Sequence, residues 1–75
     1  MSEDEFRQLC ERHGVTVEQM SQNLRVSQLV EVKSMIILEL REKYLLPYQK
    51  IADLLGYYDR SGARQAYFYA IEKFL

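Results

Sequence analysis

Apolar positions recur at helical spacing along nearly the whole chain, interrupted by four short breaks. Phe6, Leu9, Cys10 and His13 fall on one face of a helix predicted from about Glu3 to His13. Ser2 with Glu5 makes a capping box, and the acids of that first turn suit the positive end of the helix dipole. Gly14 is the stop. Thr16 with Gln19 is a second capping box and opens a helix to about Leu24, with Met20 and Leu24 facing inward. Ser27 can cap a long helix from about Gln28 to Tyr44, in which Leu29, Val30, Val32, Met35, Ile36, Ile37, Leu38, Leu40 and Tyr44 leave little polar girth. A helix apolar around most of its surface belongs at the centre of a fold. Leu45-Leu46-Pro47 ends it, and Pro47 suits the first turn of the next helix. Ile51 and Leu55, one turn apart, give that helix its buried edge, and Gly56 can take the positive φ that ends it. Asp59 or Ser61 can cap a last helix, from about Gly62 to Phe74, with Ala63, Ala66, Tyr67, Ala70 and Phe74 inward.

Two of these breaks share a plan. Cys10 stands four residues before Gly14 as Ala52 stands four before Gly56, and an apolar residue follows each glycine (Val15, Tyr57). A small residue, a glycine turn and a capped second helix are the ingredients of a helix-turn-helix, whose second helix can enter a DNA major groove. The expected architecture is an all-α, compact domain of about five helices. Helix-turn-helix units at about 5–24 and 48–74 would flank a central helix at about 28–44.

Seventy-five residues support one domain with a small core. The balance of 48% apolar and 28% charged residues is that of a globular chain, and only three Gly and one Pro favour helices joined by short turns. No apolar run reaches the ~18–20 residues of a membrane span and no secretory leader pattern follows Met1, so a cytoplasmic location without membrane contact is expected. A single cysteine excludes an internal disulfide. Charge is uneven: residues 1–24 carry five acids against Arg7 and Arg12, residues 25–50 are net positive by two, and residues 51–75 balance. Acidity at the N-terminus leaves room for a basic face further along.

Catalysis finds little support. Cys10 and His13 lie on adjacent turns of one helix, and no further Cys or His exists to complete a zinc site or a catalytic set. No catalytic residue, metal or cofactor is expected, and the chain does not read as an enzyme. The last helix is more informative. If Ala63, Tyr67, Ala70 and Phe74 face inward, Arg60, Ser61, Arg64, Gln65 and Phe68 look out. Arg and Gln near the start of a recognition helix are the types that read guanine and adenine edges by paired hydrogen bonds. Tyr57, Tyr58, Tyr48 and Lys50 could reach phosphates from the turn and the preceding helix.

Ile51-Ala52, Leu55-Gly56-Tyr57, Asp59, Ser61, Ala66 and Tyr67 together resemble the second helix-turn-helix of AraC/XylS-type transcription regulators, whose signature runs roughly I-A-x-x-x-G-[FY]-x-D-x-S-x-F-x-R-x-F. The resemblance implies a DNA-binding unit of two helix-turn-helix motifs joined by a long helix. Ala63 stands where that family has Phe, and Gln65 where it has Arg. A weaker resemblance, through Gly56-x-x-Asp59-Arg60-Ser61 after a helix, is to the C-terminal domain of DnaA-type initiators. The function expected is sequence-specific binding of double-stranded DNA for transcription regulation, through Arg60, Ser61, Arg64, Gln65, Tyr57, Tyr58 and Lys50. The alternative is a protein-interaction module on the same scaffold, with Phe68, Tyr69 and Leu75 as the contact surface. In either case a homodimer or a protein partner is expected.

Overall fold

A computed structural model describes residues 1–22 and 26–75. It is all-α: α1 Glu3–Arg12, α2 Val17–Ser21, α3 Ser27–Leu38 running on through a π-helical turn Glu39–Lys43, α4 Tyr48–Leu55 and α5 Arg60–Phe74. The expected inward position of Leu24 lies outside the described residues.

Both N-terminal helices start as their sequences dictate. The Ser2 hydroxyl accepts from the Glu5 N–H at 3.1 Å while the Glu5 carboxylate accepts from the Ser2 N–H at 3.0 Å. Thr16 and Gln19 exchange the same pair at 3.0 and 2.9 Å. Each box satisfies two N–H groups that a helix start leaves without intrahelical partners. The Ser2 bonds, backbone first, also hold the Glu5 carboxyl below its usual range.

Three helix ends share one device. His13 closes α1, Gly14 takes φ +74°, and the N–H of Val15 turns back to the Cys10 carbonyl at 3.1 Å. At the end of α4, Gly56 takes φ +75° and the N–H of Tyr57 reaches the Ala52 carbonyl at 3.0 Å. The small residue four before each glycine is therefore the acceptor of the reversing bond, and both Cys10 and Ala52 are buried. The third end lacks a glycine. Leu45 itself takes φ +58°, and the Leu46 N–H donates to the Leu40 carbonyl at 3.0 Å.

The core gathers Phe6, Leu9, Cys10, Val15 and Met20 from the N-terminal half with Ile36, Ile37 and Leu40 from the centre. Ile51, Ala52, Leu55 and Ala63 complete it from the C-terminal half. α3 and α4 pack on α5, which meets them with the small side chains of Ala63, Ala66 and Ala70. Four details differ from the sequence pattern. Val26, not Ser27, precedes α3, with no side-chain cap; the hydroxyl expected to cap sits one residue inside the helix. The central helix is not α-helical to Tyr44, because Glu39–Lys43 widen to a π turn closed by Tyr44 N–H to Glu39 carbonyl at 3.1 Å. Met35 and Leu38 are only half-buried, while Ser34 is buried and satisfies its hydroxyl on the Val30 carbonyl at 3.1 Å. Phe74, expected inward, is 39% exposed on the last turn of α5.

Candidate nucleic-acid interface

The α4–α5 pair is held from three sides. Ile51, Ala52 and Leu55 anchor α4 in the core. A Cβ placed on Gly56 would stand 2.2 Å from the Ser21 carbonyl oxygen, so the turn is pressed against the end of α2. Asp59, in extended backbone, accepts the Gly62 N–H on its carboxylate at 3.1 Å and starts α5. Of the two capping candidates it is Asp59 that caps; Ser61 lies within the first turn, exposed.

With Ala63 and Ala70 buried, helical geometry turns Arg60, Ser61, Arg64, Gln65 and Phe68 outward, and all five are exposed. Lys50 is exposed on the first turn of α4, and Tyr58 projects fully into solvent from the turn. Tyr57 is different. Its ring is half-buried, packed against α5 beside Gly62, with the Lys33 ammonium 4.5 Å from its centroid. Burial pushes its phenol up to about 12. Burial likewise lowers the Lys33 ammonium, which donates to the Gln22 carbonyl at 3.4 Å. Tyr57 and Lys33 thus tie the turn and the end of α2 to α3. Tyr48 is also half-buried, its ring covered by the Arg41 guanidinium at 4.2 Å.

The cations differ in their partners. Arg7 pairs with Asp4 at 3.2 Å. Arg12 donates to the Tyr44 hydroxyl at 3.2 Å and lies 4.0 Å from Glu39, whose other oxygen meets His13 Nε2 at 2.9 Å. Arg41 donates to the Leu46 carbonyl at 3.0 Å, and Lys73 pairs with Glu31 at 3.3 Å. Among the described residues, Lys43, Lys50, Arg60 and Arg64 have neither an ion pair nor a hydrogen bond, and all four lie between the end of the central helix and the middle of α5. Glu3, Glu11, Glu18 and Asp53, with Arg7 among them, line an open groove of about 570 Å³ between α1, α2 and α4.

The Glu39 junction and Lys43 went unread in the sequence. Lys43 carried a signal, a cation in the last turn of the central helix two residues before the reversal at Leu45. Glu39 carried none, because its partners are 26 and 27 residues away. Cys10 is buried in the core, and burial, reinforced by Glu11 and Glu18, pushes its thiol up. Among the described residues no group of three His, Cys, Asp or Glu side chains comes together to hold a metal, and no helix is long and apolar enough to cross a membrane.

No protein-family model, characterised protein or solved structure matches the chain.

Proposed function

We infer that the chain is a small, sequence-specific regulator that binds double-stranded DNA, placing the N-terminal half of α5 in the major groove. The observation that carries this reading is the set of cations whose side chains have no ion pair or hydrogen bond among the described residues. Arg60 and Arg64 lie on the first turns of α5, a 15-residue helix that is the second member of a tight helical pair, with Lys50 on its first member and Lys43 on the π turn before it. In this reading Arg64 and Gln65 meet base edges, while Arg60, Ser61, Lys50 and Tyr58 lie along phosphates. Tyr57 serves by seating the turn rather than by reaching DNA. The likenesses to AraC/XylS-type and DnaA-type DNA-binding units point the same way, and a cytoplasmic regulator without a membrane attachment fits the sequence.

A second reading has its own observation. Phe68, Tyr69, Phe74 and Leu75 are 47, 52, 39 and 83% exposed, a large apolar share for one end of a small domain. A protein interface on Tyr69, Phe74 and Leu75, with a second copy as the simplest partner, leaves Arg64 and Phe68 uncovered and would set two recognition helices on a repeated target.

Fluorescence anisotropy with a random-sequence duplex between 50 and 200 mM salt tests the first reading. Two phosphates neutralised by Lys50 and Arg60 give a slope of log K against log salt of about −2. Arg64→Ala should leave helical content unchanged and weaken the best selected site about tenfold or more, one bidentate contact being worth ~1–3 kcal/mol. A chain that binds no duplex at the lower salt is not this regulator. For the second reading, sedimentation at tens of micromolar should show a dimer that Tyr69→Glu disperses.

A further inference from the structure

One arrangement on the exposed side of α5 exceeds what a solvated row of side chains needs. The Arg64 guanidinium stands 5.2 Å from the centroid of the Phe68 ring. An arginine stacked this way keeps its in-plane N–H donors free for a partner. Phe68 itself is held. Its ring lies 5.7 Å from that of Tyr67 at a tilt of 57°. Tyr67 donates its hydroxyl to Glu42 on the π turn and packs 5.9 Å from Tyr48 on α4, whose face Arg41 covers. Phe68 thus ends a ladder of rings fastened to three elements, and an exposed aromatic fixed in advance loses little freedom on binding.

We propose that Arg64 and Phe68 read DNA as one unit: Arg64 donates to O6 and N7 of a guanine, and the Phe68 ring lies against the C5 methyl of a thymine close by in the same groove. This rests on the reading of α5 as the recognition helix. Four residues of helix advance about 6 Å, and base pairs stack about 3.4 Å apart, so the thymine falls within two steps of the guanine. A phenyl ring has no hydrogen-bonding group, and the thymine methyl is the one apolar feature of the major-groove edge it can favour. The inferred target therefore holds a guanine with a thymine one or two base pairs away, on either strand.

The test begins with a duplex selected from a random library by the full chain. Each thymine is then replaced singly by uracil, which removes only the methyl and leaves every hydrogen-bonding group in place. The expected result is a loss of about fourfold, the transfer value of one methyl group, at a single thymine within two steps of a guanine. That loss should vanish in Phe68→Ala, while Arg64→Ala should abolish preference for the guanine. The uracil series on the unaltered chain needs no variant to fold. Uniform binding across that series overturns the Phe68 assignment and leaves duplex binding standing, as does a uracil effect that persists in Phe68→Ala. Failure to select any duplex overturns the DNA reading and this inference with it.

Discussion

Gly14 and Gly56 have nearly the same backbone, at φ +74° and +75°, and opposite surroundings. That pairing separates two effects usually measured together. Alanine at either position must hold a left-handed conformation, which for an L-residue costs roughly 1–2 kcal/mol. At Gly14 the added Cβ meets nothing within 4 Å, so strain is the whole effect. At Gly56 it meets the Ser21 carbonyl oxygen at 2.2 Å, the carbonyl carbon at 3.0 Å and Cα at 3.2 Å. All three are backbone, so no rotamer change relieves the clash; either the end of α2 or the turn itself must move by about an ångström. Overpacking of that kind adds ~1–3 kcal/mol. The sum, about 2–5 kcal/mol, is a large part of the ~4–11 kcal/mol expected for a 75-residue domain. Urea unfolding followed by circular dichroism measures both variants. Gly14→Ala should lower the midpoint modestly, or Tm by roughly 4–8 °C per kcal/mol, and Gly56→Ala about one and a half to four times as far with the same urea dependence. Equal destabilisation by the two substitutions would refute the seating of the turn on α2.

Ile36, Ile37 or Leu40→Ala should each cost about 2–5 kcal/mol, and half-buried Met35 or Leu38→Ala clearly less, in the same unfolding experiment. Leu45→Gly should stabilise by about 1 kcal/mol, because the 76% exposed side chain contributes little packing while its backbone sits at φ +58°. The Tyr57 phenol is raised from 10 to about 12 in the folded chain, so the folded state holds its proton longer than the unfolded state does. Its contribution is therefore complete below pH 10 and is lost as pH climbs through about 12, at most ~2–3 kcal/mol before solvent screening reduces it. Tyr57→Phe should flatten the alkaline fall of the urea midpoint over that window; an unchanged fall would mean that another group causes it.

What the sequence revealed of the fold depended on how far apart the partners lie. The capping boxes at Ser2–Glu5 and Thr16–Gln19 and the glycine ends at Gly14 and Gly56 involve residues within five positions, and all were legible. The left-handed Leu45 was not, since leucine has no local preference for that conformation, and neither was the π turn before it. On a helix apolar nearly all round, periodicity cannot say which side faces inward. The inner set proved to be Ile36, Ile37 and Leu40 with a buried Ser34, whereas Met35 and Leu38 lie at the edge. Along α5 the alternation of alanine with arginine and glutamine made the outward face plain as far as Phe68. Tyr57 escaped because its ring packs against Lys33, 24 residues earlier in the chain.

Cys10 gives the molecule an internal clock for its own opening. Its sulfur lies in the fully buried core and its carbonyl accepts the bond that turns the chain after α1, so a reagent can reach the thiol only when that end of the core comes apart. Where reclosing outruns labelling, the modification rate is the rate of a free thiol multiplied by the open fraction, which for 5 kcal/mol of protection is a slowing of roughly 5,000-fold. One chain with one thiol reports this in plain buffer. A ligand that binds only the closed chain would slow that labelling in proportion to the fraction bound.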